Sequence, residues 1–137
     1  MKRPRLGNTF LMLVFMTLSV SLTACGSSPS VSTLPQAQRE KIAIDLSTLD
    51  GRGLRGPPDG LRSVSYEFCI PAGERYASEV QRIDPTLELM RGSRGRIGCA
   101  PSQVLCVGNT RQRSYVQVLE RLAGLDYVGR IVESVFE

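Results

Sequence analysis

The fold prediction starts from residues 63–70, which read Ser63-Val64-Ser65-Tyr66-Glu67-Phe68-Cys69-Ile70. Its apolar residues alternate with small or polar ones, and a period of two predicts a strand with one buried face. Pro71 ends this strand and suits the first turn of a helix. Residues 72–83 carry an apolar stripe at helical spacing, which predicts a helix that Asp84-Pro85 ends.

The chain after this helix continues the same alternation of strand and helix. Further strands are predicted at 86–90, 103–108 and 127–136, and a second helix is predicted at 111–123. The order β-α-β-β-α-β in residues 61–137 predicts an α+β, ferredoxin-like domain. Its right-handed crossovers give a four-stranded antiparallel sheet with two helices on one face. The term names a topology and implies no iron–sulfur cluster.

The segment before the domain has a different composition. Residues 26–38 are mostly Ser, Pro, Thr and Gly, which cannot bury enough apolar surface to offset the entropy of ordering. We therefore expect a flexible tether over residues 25–60. Residues 42–46 alternate like a short strand, so residues 39–50 either add an edge strand to the domain or extend the tether.

The first 25 residues have the parts of an export signal. Lys2, Arg3 and Arg5 precede an apolar run that starts at Phe10, and this run is too short and too rich in hydroxyls for a retained membrane span. The run closes with Leu22-Thr23-Ala24-Cys25, which resembles the lipobox of bacterial lipoproteins. In that family the cysteine receives a diacylglyceryl group, the signal is cleaved before it, and the new amine is usually acylated.

The resemblance implies where the mature chain resides. Residues 1–24 would be removed as a signal peptide, and Cys25 would carry the lipid, including a palmitate-type acyl chain. Two or three acyl chains make such an anchor effectively permanent. Gly26 stands where Asp would favour the inner membrane, so the resemblance implies the outer membrane, facing the periplasm, in a cell with two membranes.

Removal of the signal also changes the charge of the protein. The whole chain has 17 basic and 13 acidic residues, and residues 1–24 hold three basic residues and no acidic one. The mature chain keeps 14 against 13, so its net charge is near +1. A nucleic-acid partner favours a clearly basic domain, and we expect none here.

Three cysteines remain once the lipidated one is set aside: Cys69, Cys99 and Cys106. An exported protein can form disulfides, but an odd number leaves one thiol over. If Phe68 and Leu105 face the helices, Cys69 and Cys106 both point to the open face and can pair there. The alternative pairing is Cys99–Cys106.

Other interpretations of these cysteines stay open. They could be buried hydrophobic residues, or they could serve thiol redox chemistry or a metal. A closed zinc site would need a fourth ligand, the chain has no histidine, and no C-x-x-C spacing occurs. The sequence therefore predicts neither a metal nor a cofactor.

The absence of histidine also bears on catalysis. It excludes Ser-His-Asp and Cys-His mechanisms and the usual proton shuttle near neutral pH. Glu67 is expected as a solvated carboxylate on the open sheet face. No phosphate-binding loop or other catalytic motif occurs. The sequence therefore does not favour an enzymatic function.

Two groups of arginines are candidate anion-binding residues: Arg91, Arg94 and Arg96 in the loop between the second and third strands, and Arg111 and Arg113 at the start of the second helix. Guanidinium groups bind phosphate and carboxylate through paired contacts, so headgroups, glycan phosphates or an acidic partner would suit them. The alternative is that these arginines are solvated surface residues that bind no ligand. The pair in the first turn of the predicted helix is the stronger candidate, because cations are unfavourable near a helix amino terminus.

The open face of the predicted sheet is the expected binding surface. It would carry Ser65, Glu67, Cys69, Val104 and Cys106, covered by residues 39–50, by a second copy or by an envelope protein. The sequence thus predicts a lipid-anchored envelope lipoprotein with a binding or accessory module. The alternative is a thiol-dependent redox or metal-linked protein that uses the three remaining cysteines.

Overall fold

The structure, a computed structural model, describes residues 34–135. The predicted signal peptide, Cys25 and the start of the predicted tether lie outside these residues. The helices are α1 (Gln36–Arg39), α2 (Glu74–Ile83) and α3 (Tyr115–Ala123), with a 3₁₀ turn at Leu46–Thr48. The strands are β1 (Ile42–Ala43), β2 (Leu54–Arg55), β3 (Arg62–Ser63), β4 (Ser65–Pro71), β5 (Glu88–Met90), β6 (Gln103–Asn109) and β7 (Ile131–Ser134). None of the helices in this part of the chain is long and apolar enough to cross a membrane.

The main sheet has five strands in the order β1-β7-β4-β6-β5. Strand β4 pairs antiparallel with both β6 and β7, and β5 pairs antiparallel with β6. The outermost strand, β1, runs parallel to β7, and β2 and β3 form a separate two-stranded sheet. The α+β class is confirmed, but the sheet is mixed and larger than the four antiparallel strands that the sequence predicts.

The additional strand comes from the segment whose place the sequence leaves open. Ile42 lies opposite Ile131, and the Ile131 N–H donates to the Lys41 carbonyl at 2.8 Å. Ile44 is buried in the core. Residues 34–60 therefore belong to the folded domain and do not act as a tether, because their apolar side chains cover part of the core.

The core lies between the sheet and the two longer helices. Buried apolar residues of three elements meet there: Tyr66, Phe68 and Ile70 of β4, Ala77 and Val80 of α2, and Leu119 and Leu122 of α3. The alternation predicted for β4 is confirmed, since its apolar side chains all enter this core. Burial of each such side chain contributes about 1.5–3 kcal/mol relative to exposure.

The register between β4 and β6 determines which side chains enter the core. Phe68 lies opposite Cys106, and Cys69 lies opposite Leu105. Cys106 and Val104 therefore join the core, while Leu105 faces away from the helices. The expectation that Val104 and Cys106 share the open face with Cys69 is wrong, because β6 is apolar on both faces and its pattern does not select one.

Helix α3 begins four residues later than its sequence pattern predicts. Ser114, just before the helix, has φ 59° and ψ 31°, the left-handed conformation. A non-glycine residue in this conformation cannot continue a right-handed helix. Residues 111–114 consequently form an exposed connection between β6 and α3 in which Gln112 alone is half-buried.

Candidate binding surface on the outer face of the sheet

A loop covers part of the sheet face that points away from α2 and α3. This loop, residues 91–102, connects β5 to β6 and lies over the outer side chains of β4 and β6. Gly95 has φ +60°, and a Cβ atom there would lie 2.7 Å from Leu105 Cδ1. The loop backbone thus packs directly on the sheet, so the face that the sequence leaves open is partly closed by its own chain.

A disulfide attaches the loop to the sheet. It joins Cys69 of β4 to Cys99, with their Cα atoms 5.6 Å apart. Both pairings considered from the sequence, Cys69–Cys106 and Cys99–Cys106, are wrong, because Cys106 lies in the core on the opposite side of the sheet. Cys106 is a free, fully buried thiol, and burial raises its pKa to about 12.

The carboxylate of Glu67 forms a second attachment. Its Oε1 accepts a hydrogen bond from the Ile97 backbone N–H at 2.6 Å, and its Oε2 accepts one from the Ser134 hydroxyl at 3.1 Å. Glu67 is only 3% exposed, so the expectation of a solvated side chain is wrong. The carboxylate instead links β4 to the loop and to β7.

A cavity of about 350 Å³ lies between the loop and the end of β7. It is lined by Glu67, Met90, Ser93, Gly95, Arg96, Leu105, Val107, Ser134 and Val135. Met90 and Val135 are among the few exposed large hydrophobic residues, at 41% and 51% exposure. A lining that mixes apolar side chains with a few polar groups is typical of a ligand or partner site.

Two neighbouring cavities extend this one across the sheet. A cavity of about 650 Å³ shares Ser134 and Val135 with it and reaches the β2–β3 hairpin. A third, of about 160 Å³, shares Val107 and runs towards β5. We call the three together the outer groove. It crosses the sheet between the 91–102 loop and the β2–β3 hairpin.

The hairpin wall of the groove is held by an ion pair. The Arg55 guanidinium on β2 binds both carboxylate oxygens of Glu133 on β7. Such a bidentate pair fixes orientation as well as charge. Arg62 of β3 also lines this wall and is exposed.

The five arginines predicted to bind anions do not meet in one place. Arg91 lies 3.6 Å from the Glu74 carboxylate, and Arg94 donates to the Cys99 carbonyl at 3.3 Å. Arg96 lines the outer groove. Arg111 and Arg113 follow the opposite end of β6, where they line a separate pocket.

That separate pocket contains an arginine that the sequence analysis missed. Arg52, in the turn before β2, lines it together with Arg111 and Arg113. Residues 52 and 111 are far apart in the chain, so only the fold brings them together. The sequence signal for Arg52 is weak, because it lies in a Gly- and Pro-rich stretch without periodicity.

The three cysteines do not converge on a thiol or metal centre. Two form the disulfide, and the third lies across the sheet from them. Among residues 34–135, no group of three or more potential ligand side chains could hold a metal ion. The other buried carboxylate, Asp84, accepts hydrogen bonds from the Tyr66 hydroxyl, the Gln112 amide and Thr86.

Comparison with known proteins gives no assignment: no family model matches the chain, and no curated protein or solved structure matches it. The functional argument therefore rests on the sequence and on the geometry of the outer groove.

Proposed function

We propose that the chain is a lipid-anchored protein of the cell envelope whose domain binds a partner in the outer groove. Its role is that of a binding or accessory module. The anchor is Cys25 within Leu22-Thr23-Ala24-Cys25, and the outer membrane, facing the periplasm, is the proposed location. The partner is a second envelope protein or a second copy of the chain.

The observation that carries the binding proposal is the fixed wall of the groove. The 91–102 loop is attached by the Cys69–Cys99 disulfide and by the Glu67–Ile97 hydrogen bond. A preformed surface loses little conformational entropy on binding, which favours affinity. The disulfide also supports export, since such bonds persist in oxidising compartments.

We further propose that the domain is a ferredoxin-like fold with one added strand. The strands β7, β4, β6 and β5 are antiparallel neighbours in that order. Helices α2 and α3 bury their apolar sides against the same face. Strand β1 would then be an addition at the β7 edge.

The geometry favours the binding module over the thiol-dependent alternative. A reactive thiol needs exposure and a lowered pKa, whereas Cys106 is buried and its pKa is raised to about 12. The other two cysteines stabilise the loop. The arrangement thus supports a structural role for the three cysteines and not a redox or metal-binding one.

The anchor is tested by the intact mass of the protein extracted from membranes, after alkylation without reduction. We expect the loss of residues 1–24, a diacylglyceryl and acyl increment on Cys25, and one alkylated thiol after denaturation. A Cys25→Ser variant should leave the membrane fraction. An unprocessed chain would overturn the anchor proposal.

The groove is tested by photo-crosslinking in intact cells. A photoreactive residue is placed at Val107 or Met90 in the groove, and at Gln81, exposed on α2, as the control. We expect one adduct of defined mass from both groove positions and none from the control. Equal adducts from all three positions, or none from the groove, would overturn the groove as the binding surface.

A further inference from the structure

We propose that a second site, the arginine pocket, binds a phosphate group. This pocket has a volume of about 360 Å³ and is lined by Gly51, Arg52, Arg111, Gln112 and Arg113. It shares no lining residue with the outer groove. The proposal is independent of the partner proposed for that groove.

The fold holds the two halves of the pocket together. Gly53 has φ +74°, and a Cβ atom there would lie 1.9 Å from the Thr110 carbonyl oxygen, so the two backbones touch. The Thr110 hydroxyl donates to the Gly53 carbonyl at 2.5 Å. The Tyr115 hydroxyl donates to the Asp50 carbonyl at 3.2 Å. Arg52 is thereby placed beside residues 111–113.

The pocket has an excess of positive charge. Asp50 is the acid that pairs with a lining arginine, and both oxygens of its carboxylate are occupied. Oδ2 accepts from Arg52 at 3.0 and 3.1 Å, and Oδ1 accepts from the N–H groups of Arg52 and Leu54. The Leu54 N–H is the main cause of the lowered pKa of Asp50, so this carboxylate stays ionised and neutralises one arginine.

The other two arginines have no such counter-charge. Within residues 34–135, the exposed guanidinium groups of Arg111 and Arg113 have no hydrogen-bond or ion-pair partner. The Gln112 side chain donates instead to Asp84 and to the Asn109 carbonyl, at 3.1 and 2.9 Å. The pocket therefore presents two unneutralised cations on a fixed frame.

The chemistry of these groups selects the ligand. A planar guanidinium forms paired hydrogen bonds with phosphate oxygens, and two of them match the charge of a phosphate monoester. Crowded like charges beside the amino end of α3 are unfavourable, and a bound anion relieves them. The phosphate can belong to a lipid headgroup, as a diester, or to a soluble monoester, because both present at least two unesterified oxygens to a guanidinium group.

The test measures binding to the full-length protein in an uncharged detergent at constant ionic strength, by titration calorimetry. The probes are inorganic phosphate, glycerol 3-phosphate, dihexanoyl phosphatidylglycerol and, as a zwitterionic comparison, dihexanoyl phosphatidylcholine. The variant is Arg111→Gln with Arg113→Gln. The matched control is Arg121→Gln with Arg130→Gln, which removes two exposed arginines elsewhere.

We expect saturable binding that the pocket variant weakens at least tenfold and the control weakens less than twofold. Binding of the soluble probes alone assigns a soluble phosphate ester, and binding of phosphatidylglycerol alone assigns a lipid headgroup; either supports the proposal. No saturable binding of any probe would overturn it. So would an equal loss in the pocket and control variants, since that would show non-specific attraction of charge.

Discussion

Phe68 lies opposite Cys106 in the antiparallel β4–β6 pairing. This register determines whether each cysteine of the domain is buried in the core or lies on the outer face. Because neighbouring residues in a strand point to opposite faces, Cys106 enters the core with Phe68 and Cys69 points outward. Cys69 then meets Cys99 in the loop above it. The disulfide, the covered outer face and the buried thiol all follow from one register.

The disulfide should contribute substantially to stability. It closes a span of 30 residues, for which the chain-entropy model gives about 3–4 kcal/mol. Cys69→Ala with Cys99→Ala should therefore lower the free energy of unfolding by about that amount in urea denaturation. Cys106→Ala is the control, because it removes a cysteine but should leave the disulfide in place. The mass of the protein without reduction shows whether the disulfide is present. Unchanged stability in the double variant, or loss of the disulfide in the control, would contradict the pairing.

Stability should fall in alkaline solution because of Cys106. Burial raises the pKa of this thiol to about 12, above the ordinary value of about 9 in the unfolded chain. Its contribution is present below pH 9 and is lost as pH rises from about 9 to about 12, since only the unfolded state ionises readily there. Cys106→Ala should reduce this slope in urea denaturation at several pH values. An unchanged slope would show that other groups, such as tyrosines, cause it.

Glu67 should stabilise the loop that covers the sheet. Glu67→Ala leaves the Ile97 N–H and the Ser134 hydroxyl without their acceptor, and we expect a cost of about 1–3 kcal/mol. Glu67→Gln keeps one acceptor oxygen, so it should retain part of the stability that Glu67→Ala loses. Glu88→Ala, at an exposed position on β5, is the control and should change stability by less than about 0.5 kcal/mol. Equal losses in both alanine variants would refute the role of Glu67. Hydrogen exchange at Ile97 gives the local readout.

Two neighbouring glycines should respond differently to substitution. Gly53→Ala would place a Cβ atom 1.9 Å from the Thr110 oxygen at a positive φ, whereas Gly51 has nothing within 4 Å. We expect Gly53→Ala to cost about 2 kcal/mol or more and Gly51→Ala to cost less than about 1 kcal/mol. Thermal unfolding of the two variants measures the difference. Equal melting temperatures would show that the turn before β2 does not pack on Thr110.

The sequence predicts the elements of this domain better than their relationships. The alternation in residues 63–70 is visible because one face is apolar, and β4 forms where it predicts. In β6, Val104, Leu105, Cys106 and Val107 are all apolar, so the inward face cannot be read from the pattern. A shift of one residue exchanges the two faces, which is why both predicted disulfides failed.

The candidate sites depend on contacts between distant parts of the chain. The alternation in residues 42–46 predicts a short strand, but the place of β1 in the sheet is set by its pairing with β7. Arg52 reaches Arg111 through the close approach of Gly53 to Thr110. Glu67 looks like a surface residue until the loop folds over it. Such features arise from tertiary packing, which local periodicity does not encode.

The position of β7 has a consequence for synthesis of the chain. Residues 131–134 supply the neighbour of both β1 and β4, although β1 leaves the ribosome some ninety residues earlier. The leading segment therefore has no partner along this edge until β7 emerges. While translation is in progress, β1 and this edge of β4 therefore wait unpaired, and the five-stranded sheet is completed only when β7 has been synthesised.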